Sequence, residues 1–338
     1  MVKYVAKRLV YMVVVFFVIS FIMFVIYNMI PSDPAAMELE AIRDQISADD
    51  YETMYQQARE RLGLDDPIVI RYLRWLGFYP DVDGGLHGVF QGELGYSTMY
   101  KMDVVDVIAS PLQNTIFLNV FSTVLALAIT IPLGIFCAVR KGGKFDQIIQ
   151  VFTIVGYSIP IYIIGLIFIY FFAVKIPIFP VGGVKTTGVD LTGFAAVKDR
   201  LYYMALPLIV TTFANLGSML RYVRASMIDA LSMDYIRTAR AKGLKEKVVV
   251  YSHAWRNALL PIVTVIIGWF LTIFSGSVVV ENTFSFLGMG ALNVTGLNQS
   301  DYELVLAIQL FYTIISLVGI LITDISYGLI DPRVRVDK

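Results

Sequence analysis

The sequence predicts an all-α polytopic membrane protein with six transmembrane helices and a small extracytoplasmic insert between helices 1 and 2. Of its 338 residues, 57% are hydrophobic and 16% are charged, and the mean hydropathy is +0.70. A soluble domain of this length has a far more polar composition. Six apolar stretches are each about 20 residues long, which is the length of helix that crosses a hydrocarbon core of about 30 Å.

The charge balance and the cysteine content exclude several classes of site. Lysine and arginine number 27, and so do aspartate and glutamate, so the chain has no basic excess with which to hold a nucleic acid. Cys137 is the only cysteine in the sequence. One chain therefore cannot form a disulfide framework, an iron–sulfur cluster or a cysteine-based zinc site.

The first apolar stretch, residues 9–27, follows three basic residues, as the hydrophobic region of a signal peptide does. A cleavable region is only about 7 to 15 residues long, and residues 30–34 are not a small-residue cleavage site. We therefore predict an uncleaved transmembrane helix within residues 1–30. The other five spans are predicted at roughly 115–139, 148–174, 201–220, 258–280 and 304–323.

The distribution of lysine and arginine predicts which side of the membrane each connection faces. Seventeen of them lie in the 61 positions of residues 1–8, 140–147, 221–258 and 332–338. Ten lie in the 130 positions of residues 31–110, 174–200 and 281–303. Cytoplasmic connections carry the basic excess, so both termini are predicted to be cytoplasmic. The protein is then a multi-pass component of the cell membrane, that is, the plasma or inner membrane.

The outside connection at residues 31–110 is too long to be a simple turn. It contains a polar helix signal at residues 49–63 that ends in a glycine, and a turn signal at residues 81–85. We therefore predict a small folded extracytoplasmic insert in this segment.

The inside connection at residues 221–257 is long and basic. Its continuation to residue 261 predicts a helix, a turn at Lys242 and Gly243, and a second helix, because a glycine after a helical run marks a helix C-terminus. Such a short helix is suited to docking in the groove of a cytoplasmic partner. Ala239 and Ala241 are expected to allow a close approach to that partner.

Residues 234–261 resemble the EAA-type loop of importer permeases of the ATP-binding cassette class, in the form found in the dipeptide, oligopeptide and nickel branch. The general motif has Glu-Ala-Ala before its glycine, whereas this chain has Arg237-Thr238-Ala239 and a later proline, Pro261; the peptide branch shares that departure. The resemblance spans nearly the whole chain and points to the B-type permease subunit. It also includes, in order, Arg8-Leu9, Ile30-Pro31-Ser32-Asp33-Pro34, Leu62-Gly63-Leu64-Asp65 with Pro67, Tyr72 and Trp75, Gly92-Glu93-Leu94-Gly95-Tyr96-Ser97, Pro132-Leu133-Gly134, Ser158-Ile159-Pro160, Arg221 with Arg224 and Ser226, Val280-Glu281 with Phe284 and Gly288, Asp301-Tyr302, and Asp331-Pro332-Arg333.

The resemblance implies that this chain forms half of a translocation path. Residues 111–338 are then the core permease domain, and residues 226–257 are its cytoplasmic coupling loop. The implied partners are a homologous C-type permease, two cytoplasmic ATP-binding subunits and an extracytoplasmic substrate-binding lipoprotein. The implied substrate is an oligopeptide or dipeptide, with nickel and oligosaccharides as alternatives. The implied coupling residues are Asp234, Tyr235, Thr238, Ala239, Arg240, Lys242, Gly243 and Leu244.

The sequence contains no phosphate-binding loop of the form GxxxxGK[ST]. Gly142-Gly143-Lys144 is followed by a phenylalanine, and Lys185 lacks the required glycine six positions earlier. We therefore expect no enzymatic activity, no cofactor and no metal on this chain. ATP and magnesium are expected on the partner ATPase subunits.

Three other classes of protein are alternatives. An ion-coupled secondary transporter needs ionisable residues near the middle of the bilayer; the first five predicted spans contain none, and Asp324 follows the last apolar run. An intramembrane enzyme needs a nucleophile with a base, or a bound metal. His87 and His253 lie on opposite predicted sides of the membrane, so neither would serve a buried serine. A purely structural anchor would not need the helix break at Gly243.

Four further residues are candidates for the translocation path or an external gate: Tyr157, Tyr162, Glu281 and Asp301. The two tyrosines lie in the third predicted span, where an interfacial aromatic belt is the alternative to substrate contact. Glu281 and Asp301 lie on an outside loop that has no lysine or arginine. We expect a solvated loop there, with contact to the binding protein or to the substrate's ammonium group as the alternative.

Overall fold

The computed structural model describes residues 2–30, 33–82 and 84–330, and over these ranges the chain is predominantly helical. Short 3₁₀ turns lie at Glu40–Gln45 and Val89–Gln91, and π-helical turns at Tyr170–Lys175 and Val249–Ala254. Strand β1 (Tyr96–Ser97) pairs antiparallel with β2 (Met102–Asp103). The helices are α1 (Val2–Asn28), α2 (Pro34–Leu39), α3 (Ala48–Arg61), α4 (Ile68–Leu76), α5 (Val104–Val139), α6 (Lys144–Ser158), α7 (Ile161–Ile169), α8 (Gly193–Tyr203), α9 (Ala205–Ser232), α10 (Asp234–Ala241), α11 (Glu246–Val248), α12 (Trp255–Thr272), α13 (Val278–Thr283), α14 (Met289–Asn298) and α15 (Tyr302–Ile330).

The chain divides into two compact units. The core unit contains residues 2–5, 111–291 and 318–330, and the insert unit contains residues 6–110 and 292–317, as far as these ranges are described. Some residues of the family-like pattern lie outside the described ranges, namely Pro31, Ser32, Asp331, Pro332 and Arg333.

Within the described residues, three helices are long and apolar enough to cross a membrane by themselves: Val5–Asn28, Val104–Val139 and Tyr302–Ser326. Three pairs of consecutive helices, bent by 97°, 62° and 55°, pass the same test when each pair is taken together. The fold therefore provides three spans, or up to six if each bent pair forms one span.

The third predicted span, residues 148–174, is not one continuous helix. α6 ends at Ser158, α7 begins at Ile161, and the two helices are bent by 97°. Pro160 has no amide N–H, and a proline disfavours the helical conformation of the residue before it. Ile159 is accordingly extended, with φ −87° and ψ 127°. Pro160 lies within the predicted span and interrupts the helix there.

Other helix ends also differ from the predicted span boundaries. α5 begins at Val104 instead of residue 115, and α9 continues to Ser232 instead of residue 220. α12 ends at Thr272, short of the predicted end at residue 280. Apolar composition marks the part of a helix that lies in lipid, whereas α5 and α9 continue through polar residues beyond it.

In the core unit, α9 packs against both α10 and α12. Val223 and Met227 of α9 are fully buried in one cluster with Ile236 of α10 and Ile262 of α12. α5 approaches α9 closely at Gly134, where a Cβ atom would lie 2.7 Å from Val223 Cγ1. This packing holds α10 against the C-terminal end of α9.

The insert unit contains the helix and the turn that the sequence predicted. α3 begins after Ser47, whose hydroxyl accepts a hydrogen bond from Asp50 N (3.2 Å), and Gly63 with φ +58° follows its end. In the predicted turn, Gly84 N donates to Asp81 O (2.9 Å). Residue 83 of that turn lies outside the described residues.

Candidate functional site

The basic loop after α9 forms the predicted helix, turn and second helix. α10 ends at Ala241, and Gly243 adopts φ +74°. The Gly243 N–H donates to Arg240 O (2.9 Å), which closes the turn. α11 then begins at Glu246, and the chain continues through a π-helical turn into α12. Glycine suits this position because a left-handed backbone costs other residues about 1–2 kcal/mol.

α10 presents one face to its own chain and leaves the other exposed. Ile236 and Ala239 are buried in the cluster with α9, with 0% and 5% of their surface exposed. The expectation that Ala239 allows close approach to a partner is therefore wrong, because Ala239 packs inside this chain. The other predicted coupling residues are exposed: Asp234, Tyr235, Thr238, Arg240, Lys242, Gly243 and Leu244.

An ion pair spans the turn at Gly243. Arg240 Nη2 donates to Glu246 Oε1 (2.6 Å), and Arg240 Nε donates to Glu246 Oε2 (3.2 Å). The two side chains are 48% and 55% exposed, so the pair contributes little to stability. Its bidentate geometry nevertheless restricts how α10 is oriented relative to α11.

A buried ion pair joins the start of α6 to α9, and the sequence analysis missed it. Arg224 donates to Asp146 through Nε (2.6 Å to Oδ1) and Nη2 (2.7 Å to Oδ2), and the Gly142 N–H also donates to Oδ2 (2.9 Å). The Asp146 side chain is 3% exposed and the Arg224 side chain 21%. Both residues lie just outside the apolar runs, in connections that the sequence predicts to be cytoplasmic. The available signal was the helical spacing of Val223 and Met227, which continues α9 past its apolar run.

Glu281 is buried, so the expectation of a solvated loop is wrong for this residue. It is 2% exposed. Its carboxylate accepts hydrogen bonds from the N–H groups of Ser277 (3.0 Å), Gly290 (3.4 Å) and Ala291 (2.5 Å), and from the Thr115 hydroxyl (3.5 Å). Burial raises the pKa of Glu281, while the four hydrogen bonds act in the opposite direction.

Two glycines allow the backbone to pass close to Glu281. A Cβ atom at Gly276 would lie 2.0 Å from Gly290 N, and a Cβ atom at Gly288 would lie 2.5 Å from Glu281 Cδ. No side chain fits at either position without displacing its neighbours. Residues 276–291 therefore form a packed element around the buried carboxylate.

Replacing Glu281 with alanine is expected to destabilise the core unit, because three backbone N–H groups would lose their buried acceptor. A buried donor without a partner costs about 1–3 kcal/mol, so we expect a loss of roughly 3 kcal/mol in the free energy of unfolding. Thermal unfolding of the purified protein in detergent measures this. Glu281→Gln keeps one acceptor oxygen and should lower Tm much less. An equal Tm for Glu281→Ala and the unmodified protein would contradict the assigned role.

Asp301 is also buried, at 1% exposure, within the insert unit. Its carboxylate accepts hydrogen bonds from the Ser97 hydroxyl, from Met99 N (3.2 Å) and from Leu304 N (3.4 Å). It therefore stabilises the first turn of α15 and fixes the β1–β2 turn. The expectation of a solvated side chain is wrong here too, because these groups within the chain already bind the carboxylate.

The two candidate path tyrosines lie on different helices. Tyr157 belongs to α6 and Tyr162 to α7, on either side of the 97° bend. They are 65% and 48% exposed. The Arg221 guanidinium lies 5.4 Å from the centroid of the Tyr157 ring, a cation–π contact within the chain. A role in the translocation path stays a prediction for both.

Three long apolar helices and three bent helix pairs are the architecture of a multi-pass membrane protein, and an exposed basic loop with a short helix, a turn and a second helix follows α9. The family described as "Binding-protein-dependent transport system inner membrane component" matches residues 130–336. A second family, described as "Binding-prot-dependent transport system membrane comp, N-term", matches residues 1–119. The chain belongs to this family, that of the membrane permeases of ATP-binding cassette importers.

The similarity to three relatives extends over nearly the full length of the chain. It is 37% identical over 336 residues to the oligopeptide transport system permease protein AppB of Bacillus subtilis (strain 168), covering 99% of this chain and 100% of that protein. It is 33% identical over 356 residues to the dipeptide transport system permease protein DppB of Escherichia coli (strain K12), covering 100% of both. It is 31% identical over 335 residues to the glutathione transport system permease protein GsiC of Escherichia coli O6:H1, covering 99% of both. The resemblance to the peptide branch is confirmed.

Proposed function

We propose that this chain is the permease subunit of an importer for oligopeptides or dipeptides and forms half of the translocation path. The observation that carries the proposal is its full-length similarity to permeases named for oligopeptide and dipeptide transport. In this proposal, residues 1–30 form the N-terminal span, residues 31–110 an extracytoplasmic insert and residues 111–338 the core permease domain. Each bent helix pair forms one span, which gives six and leaves both termini in the cytoplasm.

The exposed face of α10 is the proposed contact with a cytoplasmic ATPase, within a coupling loop at residues 226–257. Its opposite face is packed against α9 through Ile236 and Ala239. A displacement of α10 by the ATPase would therefore move α9 with it, as packed helices shift together as rigid bodies. The chain contributes no catalytic group, and ATP closure on the partner subunits supplies the driving force.

The complete transporter in this proposal has three kinds of partner. A homologous C-type permease completes the path, and two cytoplasmic ATP-binding subunits hold ATP and magnesium. An extracytoplasmic substrate-binding lipoprotein delivers the peptide. The description of the family as dependent on a binding protein supports the last of these.

Mass spectrometry of the proteins that co-purify with a tagged copy of this subunit, in mild detergent from its native host, tests the proposal. We expect two P-loop ATPases, a second six-span permease and a lipoprotein, whose peptide binding is then measured directly. Recovery of the chain alone, or as a homo-oligomer stable through washing, would contradict the proposal and favour an ion-coupled secondary transporter.

Arg240→Glu is expected to weaken co-purification of the ATPase in a salt-sensitive manner if Arg240 faces an acidic groove. The same change also breaks the pair with Glu246, so the matched control is the charge swap Arg240→Glu with Glu246→Arg. The swap keeps an internal pair but leaves a negative charge at position 240, and we expect it to stay impaired. Unchanged ATPase recovery with Arg240→Glu alone would remove Arg240 from the interface.

A further inference from the structure

The depth of each residue along α1 follows from its apolar run. This run begins at Leu9, and a hydrocarbon core of about 30 Å takes about 20 residues of helix; it therefore ends near Asn28. At about 1.5 Å per residue, Phe17 lies roughly 12 Å from the Leu9 end of this core and roughly 16 Å from the Asn28 end. Phe17 is thus near the middle of the bilayer.

Aromatic side chains of the insert reach this depth. The Tyr72 hydroxyl of α4 donates to Phe17 O (3.2 Å) and lies 2.7 Å from Ser20 Oγ. The rings of Phe78 and Phe90 lie 6.2 Å and 6.5 Å from the Phe17 ring, between centroids. A side chain is too short to reach the middle of the bilayer from the aqueous phase. The backbone of α4 and of the turns that follow it therefore lies at the level of the outer leaflet.

α4 has one charged face and one apolar face, as a helix in the membrane interface has. Arg71 donates to the side-chain oxygen of Asn28, at the outer end of α1. Arg74 donates to Asp66 (2.6 Å). On the other face, Tyr72 is buried against the aromatic residues of α1. A helix with one charged face and one apolar face lies in the membrane interface, with its apolar side toward the acyl chains.

The backbone groups at the C-terminal end of α4 are hydrogen-bonded. Backbone polar groups in the hydrocarbon core must be bonded within the protein, because no water is available there. Gly77 N donates to Arg74 O (2.8 Å), while Phe78 N and Tyr79 N donate to Leu73 O (2.8 and 3.3 Å). The Gly77 carbonyl accepts a hydrogen bond from the side-chain amide of a nearby glutamine, Gln91 (3.1 Å). This turn can therefore enter lipid without leaving those groups unsatisfied.

Several apolar side chains of α4 and of the turns that follow it are not covered by the chain itself. Val69 and Phe78 are each 52% exposed, and Phe90 is 54% exposed. The α1 side chains Val18 and Ile22 are exposed to the same degree, 52% and 51%. The uncovered apolar surface of the insert therefore has the same character as the uncovered face of the transmembrane helix beside it, and Phe78 and Phe90 share the depth of Phe17.

We infer that α4 and the turns carrying Phe78 and Phe90 are immersed in the outer leaflet, where lipid acyl chains cover Val69, Phe78 and Phe90. Part of the insert therefore re-enters the membrane beside α1 instead of lying wholly outside it. The inference rests on α1 as a membrane span with its N-terminus in the cytoplasm, as in the proposed function, and does not depend on the substrate or on the ATPase.

Site-directed spin labelling of the complete transporter in liposomes tests this inference. In a Cys137→Ala background, single labels are introduced through Val69→Cys, Phe78→Cys and Phe90→Cys. Val18→Cys is the control for lipid, and Met54→Cys, on α3 and 38% exposed, is the control for water. The collision rate with oxygen relative to a water-soluble nickel chelate should be several-fold higher at the three test positions than at position 54. At positions 78 and 90 it should equal that at position 18, because Phe78 and Phe90 lie beside Phe17.

Two outcomes would overturn the inference. Nickel-chelate accessibility at positions 69, 78 and 90 equal to that at position 54 would place the segment in water. Low accessibility to both reagents would mean that another protein surface covers it. Val69→Cys removes no aromatic contact. The accessibility measured at position 69 therefore remains valid even if the other two substitutions loosen the cluster around Phe17.

Discussion

Asp146→Ala is expected to prevent the core unit from folding stably, because Arg224 would remain largely buried without its counter-charge. Removing one partner of a buried ion pair costs about 3–5 kcal/mol, which is a large fraction of the roughly 5–15 kcal/mol that stabilises a folded domain. We expect a marked loss of monodisperse protein after detergent extraction, a lowered Tm and loss of peptide uptake. Thermal unfolding with size-exclusion chromatography measures the first two effects.

Two matched variants separate the ion pair from other effects of substitution. Asp229→Ala removes an exposed carboxylate from the same helix that carries Arg224, and we expect it to unfold like the unmodified protein. Asp146→Ala with Arg224→Met removes both charges and should be more stable than Asp146→Ala alone, because no unpaired charge is left buried. If Asp146→Ala and Asp229→Ala unfolded at the same temperature, the pair would have no structural role.

Gly243→Val is expected to abolish most peptide uptake while membrane insertion survives. A Cβ atom at Gly243 would meet nothing within 4 Å, so the strain comes from φ +74° alone. A β-branched residue in the left-handed region costs about 1–2 kcal/mol, and about 1.4 kcal/mol corresponds to a tenfold loss of the correctly docked population. Uptake of a labelled peptide and co-purification of the ATPase measure the effect.

The control for this substitution is Gly243→Asn, because asparagine tolerates the left-handed conformation far better than valine does. We expect Gly243→Asn to keep most of the uptake activity. Normal uptake and normal ATPase recovery with Gly243→Val would show that the orientation of α10 at this turn does not matter for coupling. The assignment of the loop would then be wrong.

Elements set by local chemistry could be predicted from the sequence. The helix ending before Gly243 and the insert helix ending before Gly63 both follow from polar helix formers and a glycine stop. The structure contains both, and each glycine has a positive φ. The number of spans is predictable only in part, because Pro160 was counted inside a span and instead separates two helices bent by 97°.

Features that depend on tertiary packing could not be predicted from the sequence. Glu281 and Asp301 lie in a segment that was predicted to be a solvated outside loop, yet backbone N–H groups that become neighbours only in the folded chain surround them. The pairing of Asp146 with Arg224 joins positions far apart in sequence, and no local pattern links the two. Ala239 has a helical periodicity that allows burial against α9 as well as contact with a partner, and only the fold decides between them.

The central claim is that α10 of this chain docks on a separate ATPase subunit. A photo-crosslinking amino acid in place of Arg237, whose side chain is 81% exposed, tests it in intact cells that take up peptide. Phe194, 83% exposed on α8 and on the predicted outside, is the matched control position. We predict an adduct containing a P-loop ATPase from position 237 and none from position 194. A transporter that takes up peptide without an ATPase adduct at position 237, or with equal adducts at both positions, would contradict the claim.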